Sequence, residues 1–152
     1  MTDTIVEPAP GAPAHLWIVG GLATLWNGFA CVDYTMSRTH NEGWMRAMMP
    51  DSDPATLWAY MDSVPVWASF GWGLAVWSAL AASLLLLMRK RLAVPFVAAS
   101  IVGMVLAFGY QLFMATNLPP EMAGPAMPVG IFIIGVALFL YARSQAAKGR
   151  LA

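Results

Sequence analysis

Two uncharged runs separated by three cations constrain this chain more than any other feature. Ser63 to Met88 carries no charged residue, Arg89-Lys90-Arg91 follows, and Leu92 to Pro120 is again uncharged. At 1.5 Å of helical rise per residue, each run exceeds the roughly 20 residues that cross about 30 Å of hydrocarbon. In lipid only a helix or a closed barrel satisfies every backbone N–H and C=O, and these runs are continuous rather than alternating. The stretch from Ser63 to Gln111 therefore predicts a helical hairpin that crosses a membrane twice and turns at the basic triplet.

Hydrophobic residues make up 59% of the chain and charged residues 11%, against about a quarter charged in a soluble domain. The excess apolar surface needs a partner other than water, and the lipid bilayer is the simplest. Formal charge sums to zero, so no strong field favours nucleic acid. One cysteine, Cys31, leaves this chain without an internal disulfide or a CxxC motif.

Residues 1–14 are rich in Pro and Ala and contain Asp3 and Glu7 but no Lys or Arg, which does not fit a secretory signal. They read as a flexible arm. Gly28-Phe29-Ala30-Cys31 loosely resembles a lipoprotein cleavage box, but Phe29 and the missing basic flank argue against one. Spans are expected at about 15–36, 65–88, 92–114 and 126–143, with an outer loop at 37–64 and a basic tail at 144–152. Inside the loop, Asp53-Pro54 is a helix start, and Leu57, Trp58 and Met61 then share a face. Trp44, Met45, Met48 and Met49 form a second apolar patch. Both read as short helices on the membrane surface, placed as a lid. Asn117-Leu118-Pro119-Pro120-Glu121 interrupts the helix between the last two spans. The expected fold is an all-α integral membrane four-helix bundle with interfacial helices in its first extracytoplasmic loop.

Arg89, Lys90, Arg91, Arg143, Lys148 and Arg150 fall on one side of such a bundle, and Arg38 and Arg46 on the other. The positive-inside rule then puts both termini in the cytoplasm. Lipid gives no hydrophobic drive between helices, so small residues mark the interfaces. Gly20, Thr24, Asn27, Gly28 and Cys31 form one such face. Ala68, Gly71, Ala75, Ser78, Ala79 and Ala82 form a second, and Ala99, Gly103 and Ala107 a third. Leu22, Leu25 and Phe29 should face lipid.

Few residues suggest chemistry. Asp33 is an acid near a span, but it lies at the outer end of the first helix and points away from Asn27, which suits a solvated anchor or an ion pair with Arg38 or Arg46. Asn27 and Gln111 are the intramembrane amides. A face with Ser100, Ala107 and Gln111 is expected to meet the Asn27 stripe, either as an interhelical hydrogen bond or as headgroup ligands for a substrate or quinone. His15 and His40 fall on opposite sides, which excludes a shared haem. His40 with Glu42, Asp51 and Asp53 matches no metal-ligand spacing. No histidine base lies near a Ser or Cys for nucleophilic catalysis. The expectation is no catalytic residue, no cofactor and no metal.

Leu25-Trp26-Asn27-Gly28-Phe29, Asp33-Tyr34-Thr35-Met36, Arg38-Thr39 and Pro65-Val66-Trp67 precede the tight basic turn, and Leu140-Tyr141-Ala142-Arg143 with Gln145 and Gly149 closes the chain. With these motifs the chain resembles a family of small four-helix inner-membrane proteins of alpha- and related proteobacteria, some of which carry a sugar-transporter label. The resemblance implies a bacterial inner membrane and four helices. It draws attention to Asn27, Asp33, Tyr34 and Arg38 without transferring a catalytic role. Two functions remain open. One is a non-enzymatic accessory subunit that meets another membrane protein or a second copy of itself as a homo-oligomer. The other is a small oligomeric transporter or lipophilic-ligand carrier, with a membrane enzyme a distant third.

Overall fold

The computed structural model describes residues 13–152. The expected N-terminal arm lies outside them, apart from Pro13 and Ala14, where the first helix begins. The described residues contain helices and no strand. Four helices are long and apolar enough to cross a membrane: α1 (Ala14–Arg38), α4 (Val66–Leu87), α5 (Ala93–Phe113) and α6 (Ala126–Ala147). The shortest, α5, has 21 residues, or about 31 Å of rise. Two short helices, α2 (Glu42–Met48) and α3 (Pro54–Ser63), fill the connection between α1 and α4. The chain is an all-α, multi-pass membrane protein.

The helix ends follow local chemistry. Asn41 caps α2 by accepting from the Trp44 amide at 2.9 Å, and Asp53 caps α3 by accepting from the Thr56 amide at 3.1 Å with Pro54 behind it. Three long helices close with the same pair of backbone bonds beyond their last turn. For α4 these are Lys90 N–H to Leu85 O at 2.8 Å and Arg89 N–H to Leu86 O at 3.0 Å. The residue at the bend takes a left-handed conformation. It is Gly149 after α6, but His40 (φ 51°) after α1 and Arg89 (φ 58°) after α4, where a side chain costs roughly 1–2 kcal/mol.

In the membrane α4 is the centre, with α1 on one flank, α5 on the other and α6 against α5. Every small residue expected on α4 is buried, and Ser83 and Leu86 join them. The α4–α5 contact is backbone on backbone. A Cβ placed on Gly103 would lie 2.5 Å from both the Ala75 amide nitrogen and the Gly71 carbonyl oxygen. The α1–α4 contact uses Gly20 against Leu87 and Tyr34 against Gly73. Leu22, Leu25 and Phe29 face outward, as their bulk requires.

The two ends of the bundle differ. At the basic end Leu151 inserts among Leu16, Leu86, Ala93 and Ala142, all nearly or wholly buried. Its backbone neighbours pair with the α4–α5 turn: Arg91 N–H donates to Ala152 O at 2.7 Å, and Ala152 N–H to Arg89 O at 2.6 Å. Helix α6 itself runs past residue 143 to Ala147, so little of the basic stretch is free chain. At the opposite end α2 and α3 bridge from α1 to the α5–α6 connection. Leu57, Tyr60 and Met61 are buried beneath α3, and Asn117 donates to Ser63 Oγ at 3.1 Å.

Candidate functional site

The four residues singled out from sequence do not converge. Asn27 lies near the middle of α1, 8% exposed. Its Nδ2 donates to the Ala79 carbonyl at 3.2 Å and reaches Ser83 Oγ at 3.5 Å, so it meets α4 and not the Gln111 face of α5. Cys31, one turn further along, donates its thiol to Val76 O at 3.4 Å. Gln111 sits in the last turn of α5, where its Nε2 donates to the Met122 carbonyl at 3.3 Å and ties down the α5–α6 connection. The expected meeting of the two amides is corrected: α4, with small residues over a wide arc, separates α1 from α5.

Asp33 is half-exposed, and among the described residues it pairs with neither Arg38 nor Arg46. Trp44 donates its indole N–H to Asp33 Oδ1 at 2.8 Å, while Arg46 pairs with Glu42 within α2 at 2.5 Å. Phe29 packs against the same indole, so Trp44 pins α2 to the side of α1. Arg38 is exposed in the last turn of α1. His40 stacks on Trp58 with centroids 4.5 Å apart, and its Nε2 lies 3.2 Å from Asp62. The left-handed bend at His40 aims its ring at α3. Among the described residues no three His, Cys, Asp or Glu side chains come together closely enough to hold a metal ion.

The lid end holds several aromatic pairs. Tyr34 meets Trp72 edge-on at 4.9 Å, and Trp67 meets Tyr110 at 5.8 Å. Tyr60, on α3, is 4% exposed. Burial pushes its phenol from 10.0 up to about 12, and nearby Tyr110 adds to the shift. The folded protein thus holds this proton more tightly than the unfolded chain does. The stabilisation is complete below pH 10 and is lost as pH rises from 10 to about 12. Ultraviolet titration should show a late phenolate transition that Tyr60→Phe removes; full ionisation of every tyrosine by pH 11 would contradict the burial.

Two cavities border this region. A cavity of about 190 Å³ lies between the start of α3 and the Pro119-Pro120-Glu121 turn, lined also by Ser52, Asp53 and Thr56. Its carboxylate at Asp53 is already engaged with the Thr56 hydroxyl and amide, which hold it below the usual range. The second, about 290 Å³, is an apolar groove between α5 and α6 bounded by Met104, Phe108, Leu112, Pro128 and Phe132. Neither includes Asn27.

No protein-family model, curated protein or solved structure matches the chain. The site therefore has to be read from its own geometry.

Reasoning from sequence missed Ser83, which is fully buried. Its hydroxyl donates within α4 to Ala79 O at 3.0 Å and Leu80 O at 2.9 Å, and its oxygen receives Asn27. The signal was present, since Ser83 follows Ala79 by one turn on the small-residue face. Because Ser83 stays satisfied without its partner, Asn27→Leu should cost only about 0.6 kcal/mol, the typical worth of an interhelical hydrogen bond in a membrane. Thermal unfolding in detergent measures this. A loss of several kcal/mol would mean that Asn27 holds more than α4.

Proposed function

We propose that this chain is a non-enzymatic accessory or interaction subunit of a bacterial inner membrane, with both termini in the cytoplasm and the α2–α3 lid outside. One observation carries the reading. The mid-membrane amide is consumed by helix packing, Asn27 on Ala79 and Ser83, while small residues remain open on the outer surface. Cβ atoms added at Gly21 and Gly28, on one face of α1, would meet nothing within 4 Å, and Leu25 between them is 73% exposed. Open small-residue faces let a second backbone approach in lipid. The six cations gathered at the basic end support the orientation, as does the resemblance to small proteobacterial inner-membrane proteins.

A photo-crosslinker at position 25 in the living membrane tests the reading. A discrete protein adduct supports a partner or a second copy. Lipid adducts alone, with the purified chain binding a small solute, would overturn it. The apolar α5–α6 groove favours a second reading, a carrier of lipophilic ligands. Under it, displacement of a bound fluorescent lipid probe should depend on Phe108 and Phe132.

A further inference from the structure

We propose that the basic end of the bundle is a binding site for the headgroup of an anionic phospholipid. The inference needs only that the four helices lie in lipid, and it stands apart from the subunit reading. It begins with where the charges sit. All six Asp and Glu side chains among the described residues, at positions 33, 42, 51, 53, 62 and 121, lie toward the lid end. The basic end holds Arg89, Lys90, Arg91, Arg143, Lys148 and Arg150, and no Asp or Glu of the described chain lies there.

The fold then concentrates part of this charge. The backbone bonds between Ala152 and the α4–α5 turn bring Arg150 to the triplet, and Arg89 Nε donates to the Arg150 carbonyl at 3.1 Å. Arg150 in turn donates to Gln145 Oε1 at 3.0 Å, which fixes its guanidinium. The left-handed bend at Arg89 leads the chain directly into Lys90 and Arg91, both exposed. An anion bound at this turn meets the exposed heads of Lys90 and Arg91 together.

The neighbours identify the source of the anion. Met88 and Leu92, immediately flanking the triplet, are 63% and 59% exposed. Cations bracketed by outward apolar side chains at the end of two spanning helices match a phosphate with acyl chains attached. Soluble phosphate has no use for the apolar flanks. Basic residues beside membrane spans contribute about 1 kcal/mol each to anionic lipid binding, close to fivefold per charge.

The test uses the full chain, purified in neutral detergent and equilibrated with equal amounts of phosphatidylglycerol and phosphatidylcholine. The lipid retained through gel filtration is then quantified. Wild type should retain several-fold more phosphatidylglycerol than phosphatidylcholine. Lys90→Gln with Arg91→Gln should cut that preference to near parity, whereas Arg38→Gln with Arg46→Gln, an equal loss of charge at the lid end, should leave it unchanged. Circular dichroism and a single gel-filtration peak establish that both variants fold. Should either fail to fold, ~0.5 M salt added to wild type should strip the preference. Equal retention of the two lipids by wild type, a preference lost equally in both variants, or displacement by millimolar inorganic phosphate would overturn the proposal.

Discussion

Gly103→Ala should cost this protein about 3 kcal/mol or more, because the added methyl has nowhere to go. The new carbon would sit 2.5 Å from Ala75 N, 2.5 Å from Gly71 O and 2.9 Å from Ala75 Cα. These are backbone atoms of a helix and cannot turn aside as a side-chain tip can. Relief requires α4 and α5 to separate along their length, which forfeits close contacts that are the main attraction between helices in lipid. Gly71→Ala should behave similarly, since its Cβ would meet Leu106 Cβ at 2.6 Å and Gly103 O at 3.0 Å. The two changes relieve one another and should combine at less than their sum. Gly109, two turns along α5, is the control. Nothing lies within 4 Å of its added Cβ, so Gly109→Ala should stay within about 1 kcal/mol of wild type, on the stabilising side through helix propensity. Thermal unfolding in detergent, followed by helical circular dichroism, separates the cases. Equal melting of the Gly103 and Gly109 variants would mean the helices do not touch here.

That contrast marks how far the sequence could be read. Span lengths follow from hydrocarbon thickness, so the four long helices were legible from uncharged runs alone. The lid helices were legible from Asp53-Pro54 and from the Trp44-to-Met49 patch. On α4 the protein-facing residues were also legible, since every small residue named there is buried. Leu22, Leu25 and Phe29 face out, whereas Gly28, expected on the α1 interface, instead faces open space. Which helix meets which face was not legible. A stripe of small residues says that some backbone comes close, and any of three neighbours would satisfy it. Asn27 was thus assigned to α5 when it bonds α4. A clue lay in the width of the α4 stripe. Gly71 and Ala75 serve α5, whereas Val76, Ala79 and Ser83 serve α1. Small residues over so wide an arc imply two partners and hence the central position.

The polar assignments failed for a related reason. The partner of Asp33 depends on where α2 lands after α1 ends, and a left-handed histidine sets that landing. His40 carries no glycine-like warning in the sequence, so the Asp33–Trp44 bond could not be foreseen. Leu151 is an apolar residue in a polar stretch that shows no periodicity, and its docking depends on a niche built by all four long helices.

Leu151→Asp should release that segment while leaving the spans intact. Leu151 is 3% exposed and shares a buried, wholly apolar cluster with Leu16, Leu86, Ala93 and Ala142. Its burial contributes at most about 2–3 kcal/mol, and each flanking backbone bond about 1 kcal/mol net. An unpaired carboxylate in the same niche costs several kcal/mol, roughly as much as all of the docking interactions together. The segment should therefore leave the niche, where the new carboxylate finds water and nearby Arg89 and Arg91. Two measurements follow. Amide exchange at Arg91 and Ala152, whose N–H groups now bond Ala152 O and Arg89 O, should accelerate by at least a hundredfold, the equivalent of about 2.7 kcal/mol of lost protection. Trypsin should cut after Lys148 and Arg150 in the folded variant sooner than in wild type. Leu151→Met, which keeps volume and apolarity, should do neither. Unchanged exchange in Leu151→Asp would place the anchor elsewhere, in the Arg89–Arg150 and Arg150–Gln145 bonds, and Arg150→Gln would then be the variant that frees the segment.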